Sequence, residues 1–169
     1  ANRRQAACKD YREDCIGDRA RGSPMTLYLD TSSLVKLYVT ESGSEVVRQL
    51  VGDANVVATS VVAYAETRAA LARLRREGVL TTSKLTSTKR EFDEQWPTYL
   101  SLEVTDSLCR AAGDLAEKHG LRGFDSIHLA SYAEVSRRAG TDDTRFSSFD
   151  DRLNQAAQKV TRTLKRSQR

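Results

Sequence analysis

Asp30, Glu66, Asp125 and Asp150 are the residues whose types and settings suit chemistry. Asp30 closes the apolar run Leu27-Tyr28-Leu29. Glu66 lies on the apolar side of a helical pattern running from Val61 to Leu71. Asp125 opens Phe124-Asp125-Ser126-Ile127-His128-Leu129-Ala130, and Asp150 follows the strand-like Arg145-Phe146-Ser147-Ser148-Phe149. An ionised carboxylate in an apolar setting is costly unless something offsets its charge. Carboxylates gathered in one place suit a divalent cation, and with it metal-assisted hydrolysis of phosphodiester bonds.

Each acid also has a plain structural use. Asp30, followed by Thr31-Ser32, suits the N-cap of a helix. Glu66 has Val62, Ala65, Ala69 and Ala70 beside it or one turn away, so its bland role is a buried ion pair with Arg68 or an arginine of another helix. Asp125 falls in a first helical turn, where an acid gains roughly 0.3–1 kcal/mol from the helix dipole. Asp150 suits a helix cap, with Asp142, Asp143 and Asp151 as neighbouring alternatives. His128 shares a face with Asp125, Leu129 and Tyr132, and reads as a packing residue that hydrogen-bonds a carboxylate or a core carbonyl. Singly these uses suffice; jointly they need several coincidences at sheet edges. Spacing alone does not establish that the four converge.

The elements that must position them alternate from Met25 onward. Strands are expected at Thr26–Asp30, Asn55–Thr59, Tyr99–Val104 and Thr144–Ser148. Helices are expected at Ser32–Val39, Ser44–Val51 with Ser44 as N-cap, and Ser60–Glu77 with Ser60 as N-cap and Gly78 as stop. Further helices follow at Thr82–Gln95 before Pro97, from Thr105 or Asp106 to His119 with Gly120 as stop, at Phe124–Ala139, and at Asp150–Lys165. This alternation predicts an α/β fold with a short, mostly parallel sheet flanked by helices on both faces. Ligands of such sheets bind beyond the carboxyl ends of the strands, where Asp30 and Asp150 fall and from which Glu66 lies about one helical turn.

A chain of 169 residues, 39% hydrophobic, buries one sizeable core. Its formal charge of +4 permits nucleic-acid binding without demanding it. Three cysteines without a framework point to a reducing compartment. Two histidines, His119 and His128, leave no zinc-like spacing. No apolar run approaches the roughly 20 residues that span a bilayer, so a cytoplasmic protein without membrane attachment is expected. The only methionine is Met25, directly after Arg21-Gly22-Ser23-Pro24. Residues 1–24 are therefore expected to be a weakly ordered N-terminal extension, either added to the natural protein or a piece of a fused partner, and residues 25–169 one domain ending in a basic helix.

Leu27-Tyr28-Leu29-Asp30-Thr31-Ser32-Ser33-Leu34-Val35-Lys36-Leu37-Tyr38-Val39 resembles the opening of PIN-domain ribonucleases, and more narrowly the VapC toxins of VapBC toxin–antitoxin pairs. Thr59-Ser60-Val61-Val62-Ala63-Tyr64-Ala65-Glu66, Gly123-Phe124-Asp125-Ser126-Ile127-His128-Leu129-Ala130 and Ser148-Phe149-Asp150-Asp151-Arg152-Leu153 resemble that family's later motifs, in order. The resemblance spans about Met25 to Val160. It implies a PIN fold, a Mg²⁺ or Mn²⁺ site built from Asp30, Glu66, Asp125 and Asp150, and supporting hydroxyls at Ser32 and Ser148. The doublet Asp150-Asp151 leaves the fourth acid open between two positions, and residues 1–24 match nothing in the pattern. The resemblance further implies an endonuclease acting on structured RNA of the transfer or ribosomal class, a cognate VapB-like antitoxin and a homodimer.

Lys36, Arg68, Arg73 and Arg76 are candidate RNA contacts, although a solvated helix face is the ordinary role of such residues. An antitoxin-like tail in residues 1–24 would place an arginine on the acidic site. Two enzyme rivals fail on residues: a haloacid-dehalogenase-like phosphatase needs a second Asp where Ser32 stands, and a dinucleotide-binding domain needs a Gly-rich turn after the first strand. The rival outside enzymes is a PIN-like scaffold that binds RNA or protein without cutting.

Overall fold

The computed structural model describes residues 24–167. The extension expected over residues 1–24 lies, but for Pro24, outside the described residues, as do Cys8 and Cys15. The elements run β1 (Thr26–Leu29), α1 (Thr31–Val35), α2 (Ser44–Asp53), β2 (Val56–Ser60), α3 (Val62–Arg76), α4 (Thr82–Gln95), a short 3-10 helix (Trp96–Thr98), β3 (Leu100–Leu102), α5 (Asp106–His119), α6 (Gly123–Ala139), β4 (Thr144–Ser147) and α7 (Asp151–Ser167). The four strands form one parallel sheet in the order β3-β2-β1-β4.

β1 is buried throughout, which explains why it reads as an unbroken apolar run rather than an alternating one. Its side chains still alternate between faces. Leu27 and Leu29 pack with Leu34, Val47, Ala63 and Phe92 of α1 to α4. Tyr28 packs on the other face with Leu129, Tyr132, Leu153 and Val160 of α6 and α7. Helices on both faces thus cover the sheet, as the sequence pattern predicts.

The strand order makes β1 the point of reversal. The chain steps from β1 to β2 to β3 on one side, then crosses back to place β4 on the other flank of β1. A crevice forms at such a point, outside the carboxyl ends of the strands. Asp30 follows β1 there, and Ser148 to Asp150 follow β4.

Three local expectations differ from the structure. The helix expected over Ser32–Val39 is regular only to Val35; the amides of Lys36, Leu37 and Tyr38 then bond carbonyls three residues back, a tighter turn. Ser44 does not cap α2: its hydroxyl donates to the Val39 carbonyl at 2.9 Å and accepts from the Glu41 amide at 3.0 Å, while Gly43 takes the cap position at φ 87°. Ser60 remains in β2 and Val61 takes the cap position of α3. Thr105 caps α5 as expected, accepting from the Leu108 amide at 3.2 Å.

Candidate metal and catalytic site

Asp30 is held at the reversal point by a set of short polar contacts. One carboxylate oxygen accepts the Ser33 amide at 2.9 Å, so the N-cap role is real. The Ser32 hydroxyl donates to the same carboxylate at 2.8 and 2.9 Å, and the Ser148 hydroxyl donates at 2.8 Å. The last contact follows from register: Leu29 lies opposite Ser147, so the next residues of the two strands are neighbours. Both hydroxyl positions singled out by sequence therefore converge on Asp30.

Glu66 lies on α3, just over one turn past its start. Its partner is not Arg68, which turns to Asp93 at 3.1 Å and to the Tyr64 hydroxyl at 2.9 Å. Instead one Glu66 oxygen accepts from the Thr31 hydroxyl and lies 2.9 Å from His128 Nε2. His128 Nδ1 in turn lies 3.0 Å from the buried Tyr28 hydroxyl. Nδ1 as acceptor and Nε2 as donor give each atom in this chain a partner. His128 thus bonds a carboxylate, one of the two partners expected for it. Thr31 and Tyr28 are neighbours of the candidate site that sequence reasoning missed. A hydroxyl directly after a strand-end Asp was the available signal for Thr31; Tyr28 read only as core.

Asp125 occupies the first turn of α6, within electrostatic reach of the other three acids. Burial raises its pKa, and so do the charges of Asp150, Glu66 and Asp30. The opposing influence is Arg122, an exposed cation just before α6 that the sequence reading overlooked. All four acids therefore share one electrostatic neighbourhood. Of the acidic doublet, Asp150 is the member whose charge reaches Asp125. Asp150 also caps α7, accepting from the Leu153 amide at 2.8 Å, while its own amide donates to Ser148 Oγ at 2.9 Å.

Proton affinities in this cluster diverge. Burial pushes the Asp30 carboxyl up, and its bonds from Ser33, Ser148 and Ser32 only partly offset that. Burial also pushes Glu66 up, but the hydrogen bonds from His128 and Thr31 outweigh it and leave Glu66 below its ordinary value. Carboxylates that repel one another, with one held ionised, suit a bound cation. Among the described residues, no ion pair engages Asp30, Asp125 or Asp150. Nor do any three of the described Asp, Glu, His and Cys residues close into a metal-holding group by themselves. The oxygen-only donors fit a hard cation such as Mg²⁺ or Mn²⁺, which keeps waters and shares substrate oxygens rather than needing an all-protein cage.

The expected RNA contacts are dispersed. Lys36 is 8% exposed, with its ammonium bonded to Glu41 and to the Ser42 carbonyl, both at 2.8 Å. Arg73 and Arg76 are exposed on α3, seven and ten residues beyond Glu66, hence about 10 and 15 Å along the helix axis.

A four-stranded parallel sheet with acids collected at its point of reversal is the architecture of PIN domains, and the PIN domain model matches residues 27–157. The chain belongs to the PIN-domain family. It is 40% identical over 109 residues to Ribonuclease VapC45 of Mycobacterium tuberculosis (strain CDC 1551 / Oshkosh), and to the same extent to Ribonuclease VapC49 of Mycobacterium tuberculosis (strain ATCC 25618 / H37Rv). In both comparisons the aligned region covers 64% of this chain and 76% of the relative. No helix among the described residues is long and apolar enough to cross a membrane.

Proposed function

We propose that this chain is a Mg²⁺- or Mn²⁺-dependent endoribonuclease of the VapC toxin kind, which hydrolyses phosphodiester bonds in structured RNA of the transfer or ribosomal class. A VapB-like antitoxin would neutralise it, and it would act as a homodimer in the cytoplasm. Asp30, Glu66, Asp125 and Asp150 would hold the cation. The observation that carries this reading is that Asp30 is bonded by Ser148 across the sheet's reversal point, next to Asp150, while Asp125 lies within reach of the charges of Asp150, Glu66 and Asp30. The names of the two mycobacterial relatives support it.

A bound divalent cation would supply Lewis-acid stabilisation of charge building on the phosphate. The chain's own residues prepare the site. Ser32, Ser148 and the Ser33 amide fix both oxygens of Asp30. His128 and Thr31 keep Glu66 ionised and oriented. Asp150, anchored as the α7 cap, presents its remaining oxygen. Arg122, exposed beside Asp125, offers the cationic contact for an RNA phosphate that Lys36 is too enclosed to make.

The test is cleavage of total cellular RNA by purified protein in Mg²⁺ or Mn²⁺. Asp30→Asn and Asp125→Asn are each expected to lower the rate on the order of a thousand-fold, the loss of several kcal/mol of charge stabilisation, and EDTA is expected to stop it. Cleavage surviving both variants and chelation would refute the assignment. Cation binding without RNA turnover, in protein free of antitoxin, would instead favour a PIN-like binding scaffold.

A further inference from the structure

We propose that Phe149 is a stacking platform for an unpaired nucleobase beside the scissile phosphate. This rests on the ribonuclease reading above. Among the described residues, the aromatic side chains left largely in solvent are Phe124, 56% exposed, and Phe149, 46% exposed, and each directly precedes a site acid. The Tyr28, Phe92 and Trp96 rings, in contrast, pack against other rings. Phe124 makes no recorded ring or cation contact among the described residues, whereas Phe149 is built into place.

Three features hold Phe149. Its amide donates to Ser32 Oγ at 2.8 Å, and Ser32 donates to Asp30, so the ring is indexed to the central carboxylate through two hydrogen bonds. The Lys36 ammonium sits 4.2 Å from the ring centroid and is itself fixed by Glu41 and the Ser42 carbonyl. Gly43, at φ 87°, leaves the ring its space: a Cβ there would stand 2.4 Å from Phe149 Cε1. A cation against a ring also draws electron density toward it, which favours stacking of an electron-rich base on the open side. The neighbour over the ring is a lysine ammonium rather than an apolar side chain, a setting that suits a polarisable nucleobase better than an apolar side chain of a protein partner. A base locked in a duplex has no free face to offer, so the nucleotide at this position must be unpaired.

The experiment uses the full chain and a single-stranded oligoribonucleotide carrying 2-aminopurine, titrated in Ca²⁺, alongside cleavage kinetics in Mg²⁺. Wild type should quench the 2-aminopurine on binding. Phe149→Ala should lose most of that quench, weaken binding about ten-fold, the loss of one base stack, and raise KM far more than it lowers kcat. Phe149→Trp and Phe149→Tyr should retain the quench. Phe149→Leu, apolar but without a π-face, should behave like Phe149→Ala. Val79→Ala, an exposed apolar residue at the turn between α3 and α4, is the control, and melting curves of all variants confirm folding. Equal behaviour of the Leu and Trp variants, wild-type binding by every variant, or no RNA binding by wild type would each overturn the platform. Normal RNA binding with lost capture of a purified antitoxin would overturn it in favour of a protein-docking role. Quenching without cleavage by wild type would overturn the ribonuclease reading and with it the platform's place beside a scissile phosphate, while loss of quenching in Phe149→Leu would still locate a stacked base at Phe149.

Discussion

Asp30 and Glu66 carry the same functional group and respond oppositely to their surroundings. Burial governs Asp30, whose bonds from serines and an amide do not restore its ordinary acidity. Hydrogen bonds from His128 and Thr31 govern Glu66. The sign of each effect on stability follows from proton counting. For Asp30 the folded carboxyl titrates above the unfolded one, near 3.9. Between those values the native state holds more protons, so its stability falls as pH rises through that window. The stabilising contribution is complete below the unfolded pKa and gone above the folded one. Metal-free Asp30→Asn should therefore melt above wild type at pH 7, by about 2–4 °C for each kcal/mol relieved, and the difference should close as pH drops below 4. Scanning calorimetry in chelator checks it; a lower melting temperature for the variant at pH 7 would show that the ionised carboxylate is no net burden. Asp30, Glu66 and Asp125 stood out in the sequence because each was an acid in an apolar or strand-end setting. Their supporting hydroxyl at Thr31 and the Tyr28–His128 link did not, because a buried tyrosine and a buried valine look alike in an apolar run.

At the level of elements, His128 is a tie between β1, α1, α3 and α6, through Tyr28, Thr31 and Glu66. His128→Ala should cost about 1.5–3 kcal/mol, the range for a hydrogen bond to a charged group left unmade. His128→Gln should recover part of it, and urea unfolding measures both. Two of the glycines with positive φ at helix ends make a second comparison. Gly120 ends α5 at φ 63° with open space around it, so Gly120→Ala should cost only about 1 kcal/mol of backbone strain. Gly43 has φ 87° and the Phe149 ring against it, so Gly43→Ala should add displacement of that ring to strain of about 1–3 kcal/mol. Equal losses at the two sites would mean the ring yields freely. Element types were legible because apolar periodicity, Thr105 and Gly120 are local signals. The caps at Ser44 and Ser60 were misread because a serine before a helix satisfies the same pattern whether its hydroxyl turns to the helix or back to the loop. Only the position of Val39 and Glu41 decides that for Ser44.

For the whole molecule, the balance of charge sets how RNA is approached. A modest net charge of +4 and a cluster of acids at the candidate site make individual cations important. Arg122→Ala should weaken RNA binding across sequences and reduce the slope of log K against log salt by about one. Arg110→Ala, where the side chain already pairs with Asp106 at 2.8 Å, should leave the slope alone. Fluorescence anisotropy across a KCl series distinguishes them, and equal slopes for both variants and wild type would remove Arg122 from the interface. Alternation of strands and helices made an α/β molecule readable in advance. The strand order was not readable, since β1 meets β4 across more than a hundred residues and no local pattern records that pairing.

The Ser148–Asp30 contact joins residues 118 positions apart. During synthesis, Asp30, Glu66 and Asp125 all leave the ribosome before Thr144, the start of the strand that brings Ser148 and Asp150. A nascent or truncated chain short of that strand would carry most of the acids without the hydroxyl and carboxylate that complete their setting. On the site assignment proposed above, a chain still lacking β4 would cut RNA poorly, and the order of residues along the chain would itself serve as a safety catch.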